Sequence, residues 1–393
     1  MADQETMYLK LTENIVDAAV AGDKNAQHIM HQLDVCLMLG THFVFVDDIT
    51  TLDKIVAHCA SEYAYLRKIR EDFSNLGAKA AMLEWHVEFE LGHTQSYIDE
   101  AHKTIFLSYT EVQQKAFWKE THVIAENLCD IDFFKAVLQI YKAATKKRIH
   151  HRFYPILGGG ATTARVLESE IKNRRSFVIC VVDSDKHFPG DSIGSTAMMV
   201  KSYMDKQSCS CAQYYIMDNV TEVENLVPMK VYEQYITETK DRDLINRYES
   251  IQKINVADDT LLDYFDYKEG ITHHLLQNVG DRTYAERTIK ILDVNASTSI
   301  KENDNKLNEL KAKLEASGLL PDVSVNKLCT EAARDMRYVK GLGTKILDNV
   351  LQDKHYLLYD VHYSDLSPAQ IKEYNAIGSF LLNWTCSEKA IRS

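Results

Sequence analysis

Two aspartates that directly follow an apolar run are the strongest candidates for chemistry in this sequence. The run VICVV, Val178–Val182, leads into Asp183 and Asp185, which are separated by one residue. Carboxylates held side by side repel one another, and a divalent cation is the usual way to stabilise them. The same arrangement also suits an ordinary strand end followed by a helix cap, so the interpretation depends on other residues.

Further carboxylates follow two other short apolar runs. Glu126 follows THVIA, with Asp130 four residues later, and Glu222 and Glu224 follow AQYYIM. Oxygen ligands without His or Cys favour Mg²⁺ or Mn²⁺ over zinc. Because Mg²⁺ keeps much of its water, phosphate is the natural remaining ligand. The carboxylates together predict a Mg²⁺ or Mn²⁺ site that acts on phosphate.

Two further segments are suited to binding a phosphate group. Gly158, Gly159 and Gly160 end the run FYPIL, and glycines let a ligand approach the backbone closely. The helix predicted after them offers free N–H groups to an anion. The segment Lys142–Arg175 has nine Lys or Arg against two Glu in a chain of net charge −12, so it is either a solvated basic face or a phosphate-binding surface. The basic residues that we predict to bind substrate are Lys146, Lys147 and Arg148.

Four apolar runs must position these residues, and they alternate with segments of helical periodicity. The runs are THVIA, FYPIL, SFVICVV and AQYYIM. This alternation predicts βα units and a largely parallel sheet. Ligands of such sheets bind at the carboxyl ends of the strands, where the candidate acids and the glycine turn all fall.

The regions on either side of these runs have apolar residues three and four apart, which is typical of helices. We therefore predict a helical N-terminal domain over 1–114, an α/β catalytic domain over 115–235 and a helical C-terminal region over 236–393. Within the last region, DDTLLDYFDYKEGITHHLLQN is predicted to be helical.

Composition excludes several classes of protein. No apolar stretch is long enough for a membrane span, and MADQETMYLK does not have the pattern of a secretory signal. The eight cysteines are scattered without the spacing of a disulfide framework or a zinc site. We expect a reduced, cytoplasmic protein with no membrane partner.

The order of these motifs resembles the Toprim domain of topoisomerases, DnaG-type primases and OLD-family nucleases. The resemblance lies in Glu126-x-x-x-Asp130, the glycine turn and Asp183-x-Asp185. The segments EVENLVP and YVKGLGTKIL (residues 338–347) resemble later segments of the OLD-like, defence-associated branch.

This resemblance covers roughly residues 115–235 and 338–347, and Asn127 stands where the family usually has glycine. It implies a Toprim-like α/β fold, with a mostly parallel sheet, helices on both faces, and residues 338–347 packing back on the site. It also implies a divalent-metal-dependent endonuclease that cleaves RNA or DNA.

Site roles follow from the resemblance residue by residue. The implied metal ligands are Glu126, Asp130, Asp183, Asp185 and Glu224. Glu222 is a less favoured alternative to Glu224, and Glu126 is either a ligand or the general acid or base. Lys340 would stabilise the charge that develops on phosphate, with Lys345 as an alternative that the sequence does not exclude.

The chain has no G-x-x-x-x-G-K-[ST] loop for ATP, although OLD-family nucleases carry an ATPase domain. The resemblance therefore implies an ATPase or sensor acting in trans, as with effectors of anti-phage systems. A second hypothesis is a catalytically degenerate Toprim-like module that binds nucleic acid or a partner ATPase. A third, a transferase that uses Asp-x-Asp to hold a nucleotide's metal, leaves Glu126 without a role and ranks last.

Overall fold

The structure is a computed structural model, and it divides into two compact units. It describes residues 7–59, 62–83, 85–173, 176–207, 211–278, 280–317 and 325–391. Unit 1 comprises residues 1–182, 195–216 and 374–393, and unit 2 comprises residues 183–194 and 217–373. The chain therefore passes between the units four times.

The first part of unit 1 contains a five-stranded sheet in the order β2-β1-β3-β5-β4, parallel except for β4. Its strands are β1 (Met7–Lys10), β2 (Val44–Phe45), β3 (Trp85–Glu90), β4 (Tyr97–Asp99) and β5 (Thr104–Ser108). Six helices accompany it: α1 (Glu13–Val20), α2 (Lys24–Leu39), α3 (Ile49–His58), α4 (Ala64–Lys68), α5 (Phe73–Ala80) and α6 (Tyr109–Gln114). The prediction of a helical region over 1–114 missed this sheet.

The second part of unit 1 contains a four-stranded parallel sheet, in the order β10-β9-β6-β8. Its strands are β6 (Thr121–Ala125), β8 (Phe153–Leu157), β9 (Val178–Val182) and β10 (Ala212–Ile216). The helices that alternate with them are α7 (Leu128–Thr145), α8 (Thr163–Asn173) and α9 (Ser195–Met204). The prediction of βα units and a mostly parallel sheet is confirmed. A short antiparallel pair, β7 (His150–His151) with β13 (Cys386–Ser387), completes the strands described in this unit.

Unit 2 is mainly helical. Its helices are α10 (Met229–Thr239), α11 (Arg242–Ala257), α12 (His273–Asn278), α13 (Arg282–Leu292), α14 (Ala296–Ala316), α15 (Asn326–Asp335) and α16 (Ile346–Lys354). One antiparallel pair joins β11 (Gly270–Thr272) to β12 (Arg337–Lys340). The last helix, α17 (Pro368–Thr385), begins in unit 2 and ends in unit 1. The predicted continuous helix from DDTLLDYF to HHLLQN is wrong, because a turn and β11 interrupt it.

Each unit has its own apolar core. Phe133, Phe134 and Phe177 are fully buried in unit 1, and Tyr232 stacks on Tyr267 in unit 2 at 5.3 Å between ring centroids. Burial of such a side chain contributes about 1.5–3 kcal/mol. No helix among the described residues is long and apolar enough to cross a membrane.

Candidate functional site

The segments that follow β9 and β10 meet within unit 2, and their backbones are joined by hydrogen bonds. The N–H groups of Ser184 and Asp185 both donate to the carbonyl of Thr221, each at 3.1 Å. Oδ1 of Asp183 accepts a bond from the backbone N–H of Val223 at 3.2 Å. The predicted Asp-x-Asp motif is therefore held against the start of the EVENLVP segment.

Asp185 occupies an unusual backbone position that is closely packed. Its φ is 53°, in the left-handed region that non-glycine residues seldom adopt, although Asp tolerates it better than most. A Cβ placed on Gly194 would lie 2.1 Å from Oδ2 of Asp185, so only glycine fits there. The Gly194 N–H also donates to the carbonyl of Ser184 at 2.7 Å. The absence of a side chain at Gly194 thus leaves the space that the side chain of Asp185 occupies.

A lysine that sequence reasoning missed lies among these carboxylates. Nζ of Lys268 is 3.1 Å from Oε2 of Glu222 and 3.2 Å from Oε1 of Glu224. Its charge also interacts with those of Asp183 and Asp185. We call Asp183, Asp185, Glu222 and Glu224 the acidic cluster. Four carboxylates and one ammonium therefore interact within unit 2.

The pKa values reflect this crowding of charge. Burial, with repulsion from Glu224 and against the attraction of Lys268, raises the pKa of Glu222 to about 7. Burial also raises the pKa of Asp185, although His187 and Lys268 counteract the effect. The pKa of Asp266, two residues before Lys268 in the chain, rises to about 6 through burial and the charge of Glu222. For Lys268, burial opposes the charged form, but attraction to the cluster outweighs it and raises the pKa.

The backbone around Lys268 is fixed from two sides. Oδ1 of Asp266 accepts bonds from the N–H groups of Lys268 and Glu269, at 2.8 and 2.7 Å. The segment that follows β12 binds the other side, since the N–H of Gly343 donates to the carbonyl of Lys268 at 3.1 Å and that of Leu342 donates to Tyr267 at 2.7 Å. The side chain of Lys268 therefore extends from a rigid turn.

The donor atoms of the acidic cluster suit Mg²⁺ or Mn²⁺, because all are carboxylate oxygens. Their arrangement does not form a ready-made site: among the described residues, no three His, Cys, Asp or Glu side chains are grouped so that they could hold a metal ion. Two of the four carboxylates instead contact the ammonium of Lys268. The donor atoms are of the kind that a divalent ion prefers, but their arrangement in this structure does not fit one.

Glu126 and the glycine turn come together in unit 1, at the carboxyl ends of β6 and β8. The N–H of Gly159 donates to the carbonyl of Glu126 at 2.9 Å, and a Cβ on Gly160 would lie 3.8 Å from Oε2 of Glu126. A Cβ on Gly158 would lie 2.8 Å from the carbonyl oxygen of Ala125, so this position requires glycine. The predicted association of the first motif with the glycine turn is present here.

Asp130 has a clear structural role. It is buried near the beginning of α7, and its Oδ2 accepts a bond from the backbone N–H of Asn127 at 2.8 Å. This is half of a capping box, in which a side chain satisfies an N–H group that the helix leaves unpaired. The spacing Glu126-x-x-x-Asp130 is therefore explained in part by helix capping.

The predicted basic substrate-binding residues, Lys146, Lys147 and Arg148, lie at the other end of α7 from Glu126. This helix has 18 residues, and at 1.5 Å per residue it is about 27 Å long. Lys146 and Arg148 are exposed, while Nζ of Lys147 lies 5.7 Å from the ring centre of Tyr141. A substrate that contacts both ends of α7 must be extended.

The lysines predicted from YVKGLGTKIL are both exposed. Lys340 is largely exposed, with its Nζ 3.8 Å from Oδ1 of Asp243, and Lys345 is also exposed. The Gly-Leu-Gly segment between them packs against the Lys268 turn through backbone hydrogen bonds. A sequence signal for Lys268 did exist, because DYKEG combines an Asp with a Gly two residues after the lysine, as tight turns often do.

Within unit 2 the structure thus brings together Asp183, Asp185, Glu222 and Glu224, and within unit 1 it brings together Glu126 and the glycine turn. Comparison with protein-family models, with curated proteins and with solved structures gives no match.

Proposed function

We propose that this chain is a divalent-metal-dependent nuclease that cleaves phosphodiester bonds in RNA or DNA. The observation that supports this proposal is the acidic cluster, in which four carboxylates interact with the ammonium of Lys268. Burial, together with repulsion from Glu224, raises the pKa of Glu222 to about 7, and a further cation would stabilise the charged form of this carboxylate. Oxygen donors select Mg²⁺ or Mn²⁺ for that role.

In this proposal Asp183, Asp185, Glu222 and Glu224 would hold the ion. When bound, such an ion polarises a phosphoryl oxygen and lowers the pKa of a coordinated water. Lys268 supplies a positive charge that can stabilise the negative charge developing on the phosphate. The resemblance to Toprim domains adds Glu126, as a further ligand or as the general acid or base.

The biological setting of the proposal comes from the resemblance alone. These 393 residues contain no G-x-x-x-x-G-K-[ST] motif, and we propose that an ATPase or sensor protein works with the nuclease in trans. An anti-phage effector that cleaves nucleic acid when released fits that description.

The test is cleavage of RNA and DNA by the purified chain, with and without its genomic neighbours, in Mg²⁺ and in EDTA. We expect EDTA to abolish cleavage, and Asp183→Asn and Glu126→Gln each to lower it about a hundredfold or more. Asparagine can still accept the bond from Val223, so Asp183→Asn removes charge and keeps the loop. Glu233→Gln, on the exposed side of α10, is the matched control. Metal-dependent cleavage that survives both substitutions would show that the residues are assigned wrongly.

A second candidate function is a module that binds nucleic acid or a partner ATPase without cleaving. The contacts of Lys268 with Glu222 and Glu224 favour it, because an ammonium there can replace a metal ion altogether. Titration with Mn²⁺, followed by electron paramagnetic resonance, separates the two candidates. A non-cleaving module should bind no Mn²⁺ in a manner that depends on Asp183 and Asp185.

A further inference from the structure

We infer that Trp118 and Tyr154 form a stacking surface for the unpaired bases of single-stranded RNA or DNA, beside a basic segment that contacts its phosphates. The inference rests on the proposed function only in taking nucleic acid as the ligand. It adds which form of nucleic acid the chain binds and where, and it concerns residues of unit 1 alone.

The two aromatic side chains line one open groove. Trp118 is 39% exposed and Tyr154 is 56% exposed, although aromatic rings gain much from burial. The groove has a volume of about 400 Å³ and mostly apolar walls, as pockets for small organic groups have. A second groove, of about 380 Å³, shares Leu39 and Trp118 with the first. Trp118 therefore stands where two open grooves meet.

Polar contacts hold the walls of the first groove in place. The ring centres of Tyr154 and His122 lie 5.5 Å apart, and Nδ1 of His122 is 2.7 Å from Oε2 of Glu170. Arg152 donates from Nη1 to the carbonyl of Leu39 at 2.7 Å. A ring that is already positioned loses little conformational freedom when a base stacks on it.

The charges beside the groove suit a polyanion. Lys119 lies in its wall, with Nζ 5.3 Å from the ring centre of Trp118. The strand β8, which carries Tyr154, is preceded by the basic residues 146–148, and Arg148 is at most about 14 Å from Arg152 along the chain. Proteins bind single strands by this combination, in which cations contact the phosphates and aromatic rings stack on the bases.

The backbone of β8 argues against a protein strand as the occupant. Among the described residues β8 is the outer strand of its sheet, and the N–H of Gly158 donates to the carbonyl of Ala125 on β6 at 2.8 Å. Because the direction of N–H groups alternates along a strand, position 155 points to the outer edge, where Pro155 has no N–H to donate. A proline there protects the edge from pairing, so β8 offers a ligand its side chains.

Only an unpaired base can use these rings. The bases of a duplex are stacked on their neighbours, and a protein reaches their faces only after taking them out of the stack. Stacking needs no hydrogen bond to a base edge, so it tolerates any sequence. The groove thus predicts a preference for single strands with little preference for sequence.

The first experiment measures binding in EDTA, where metal-dependent cleavage does not occur. The Kd for labelled thymidine and uridine homopolymers of about 16 nucleotides is measured by fluorescence anisotropy. We expect Trp118→Leu and Tyr154→Leu each to raise the Kd about tenfold, because leucine is apolar but cannot stack. Tyr154→Phe keeps the ring and should match the wild type. Equal Kd values for the wild type and both leucine variants would overturn the inference.

Two controls separate stacking from other causes of weaker binding. Tyr97→Leu removes a ring that is 41% exposed and stacks on Phe106 in the other sheet, and it should leave the Kd unchanged. The Kd for a duplex should be the same in Trp118→Leu and in the wild type, whereas Arg148→Ala should weaken the binding of both forms. A tenfold loss of duplex binding in Trp118→Leu would contradict stacking on unpaired bases.

The second experiment uses the wild type, so it does not depend on the folding of a variant. Single strands that contain 5-iodouracil are cross-linked to the protein by light, and the modified residues are identified by peptide mass spectrometry. Cross-links should fall on Trp118 or Tyr154. Cross-links confined to other aromatic residues would overturn the assignment of the surface.

The two experiments also distinguish this inference from the proposed function. Mg²⁺-dependent cleavage by a chain whose affinity for single strands ignores both leucine substitutions would overturn the stacking surface and leave the nuclease. Binding that depends on Trp118 and Tyr154, without cleavage of any nucleic acid by the wild type, would support the surface and overturn the nuclease.

Discussion

Two sets of carboxylates follow parallel strands in this chain, and they interact with different kinds of partner. In unit 1, Asp130 accepts a bond from the backbone N–H of Asn127 and thereby caps α7. In unit 2, Glu222 and Glu224 contact the side chain of Lys268, a residue more than 40 positions away in the sequence. Asp130 thus caps a helix, whereas Glu222 and Glu224 belong to a group of carboxylates with excess negative charge.

The difference shows why the spacing of carboxylates in a sequence does not distinguish a structural role from a metal-binding role. A carboxylate three or four residues into a helix satisfies the same pattern whether it binds a metal or an N–H group. Crowded, buried carboxylates instead destabilise the fold unless a cation accompanies them. The acidic cluster is therefore the stronger candidate for a function, and Asp130 is the weaker.

The largest effect is expected for a substitution at Gly194. It tests whether the acidic cluster, in contrast to Asp130, binds a metal ion. A methyl group there would overlap Oδ2, Cβ and Cγ of Asp185, at 2.1, 2.5 and 2.7 Å, so that carboxylate must move. We expect Gly194→Ala to weaken Mn²⁺ binding by about ten- to a hundredfold and to lower the free energy of unfolding by about 1–3 kcal/mol.

Gly280→Ala is the matched control, because its added Cβ would make only an ordinary contact, at 3.7 Å, with Phe188. The Mn²⁺ affinity and the free energy of unfolding of Gly280→Ala should match those of the wild type. Normal Mn²⁺ affinity in Gly194→Ala would mean that the position of Asp185 is irrelevant to metal binding.

A smaller effect is expected at Asp130, and it separates capping from metal binding. Asp130→Ala removes the bond to Asn127 and should lower the free energy of unfolding by about 1 kcal/mol. Asp130→Asn keeps an acceptor oxygen and should be as stable as the wild type within about 0.5 kcal/mol. Both variants should bind Mn²⁺ with the affinity of the wild type. A loss of Mn²⁺ affinity in Asp130→Asn would show that Asp130 is a metal ligand, like the carboxylates of the acidic cluster.

The smallest expected effect is a change in the pH dependence of stability. Burial raises the pKa of Glu222 to about 7, so the folded chain binds a proton that the unfolded chain, with an ordinary glutamate, releases at lower pH. Stability without metal should therefore fall as pH rises from about 5 to about 7. Glu222→Gln should flatten that slope in urea unfolding with EDTA, whereas Glu233→Gln should leave it unchanged. An identical slope in Glu222→Gln would show that Glu222 does not take up the proton.

The sequence predicted the second sheet of unit 1 well because each strand is a compact apolar run. VICVV is buried at every residue, and such runs between helical segments are typical of a parallel sheet. The strand WHVEFE was missed although it alternates, with Val87 and Phe89 buried and Glu88 and Glu90 half-buried. Flanking helices with strong periodicity obscured this shorter period-two signal.

The candidate site was predictable only in part. Asp183 and Asp185 were identified from a local pattern, since they follow their strand immediately. The local pattern DYKEG predicts a turn at Lys268 but does not identify its partners, because Glu222 and Glu224 become its neighbours only through tertiary folding. Lys340 was chosen from a Lys-Gly dipeptide, a local feature that says nothing about which lysine faces the carboxylates. Side-chain contacts between distant segments are what the sequence alone does not contain.

The chain passes between the two units four times. This limits which parts of the protein can be separated from one another as continuous fragments. Asp183 and Asp185 belong to unit 2, but they lie on a 12-residue excursion, 183–194, that interrupts unit 1. A gene fragment encoding 217–373 would carry Glu222, Glu224 and Lys268 and leave both aspartates behind. Any continuous fragment that carries the whole acidic cluster must therefore also carry residues 195–216, which belong to unit 1.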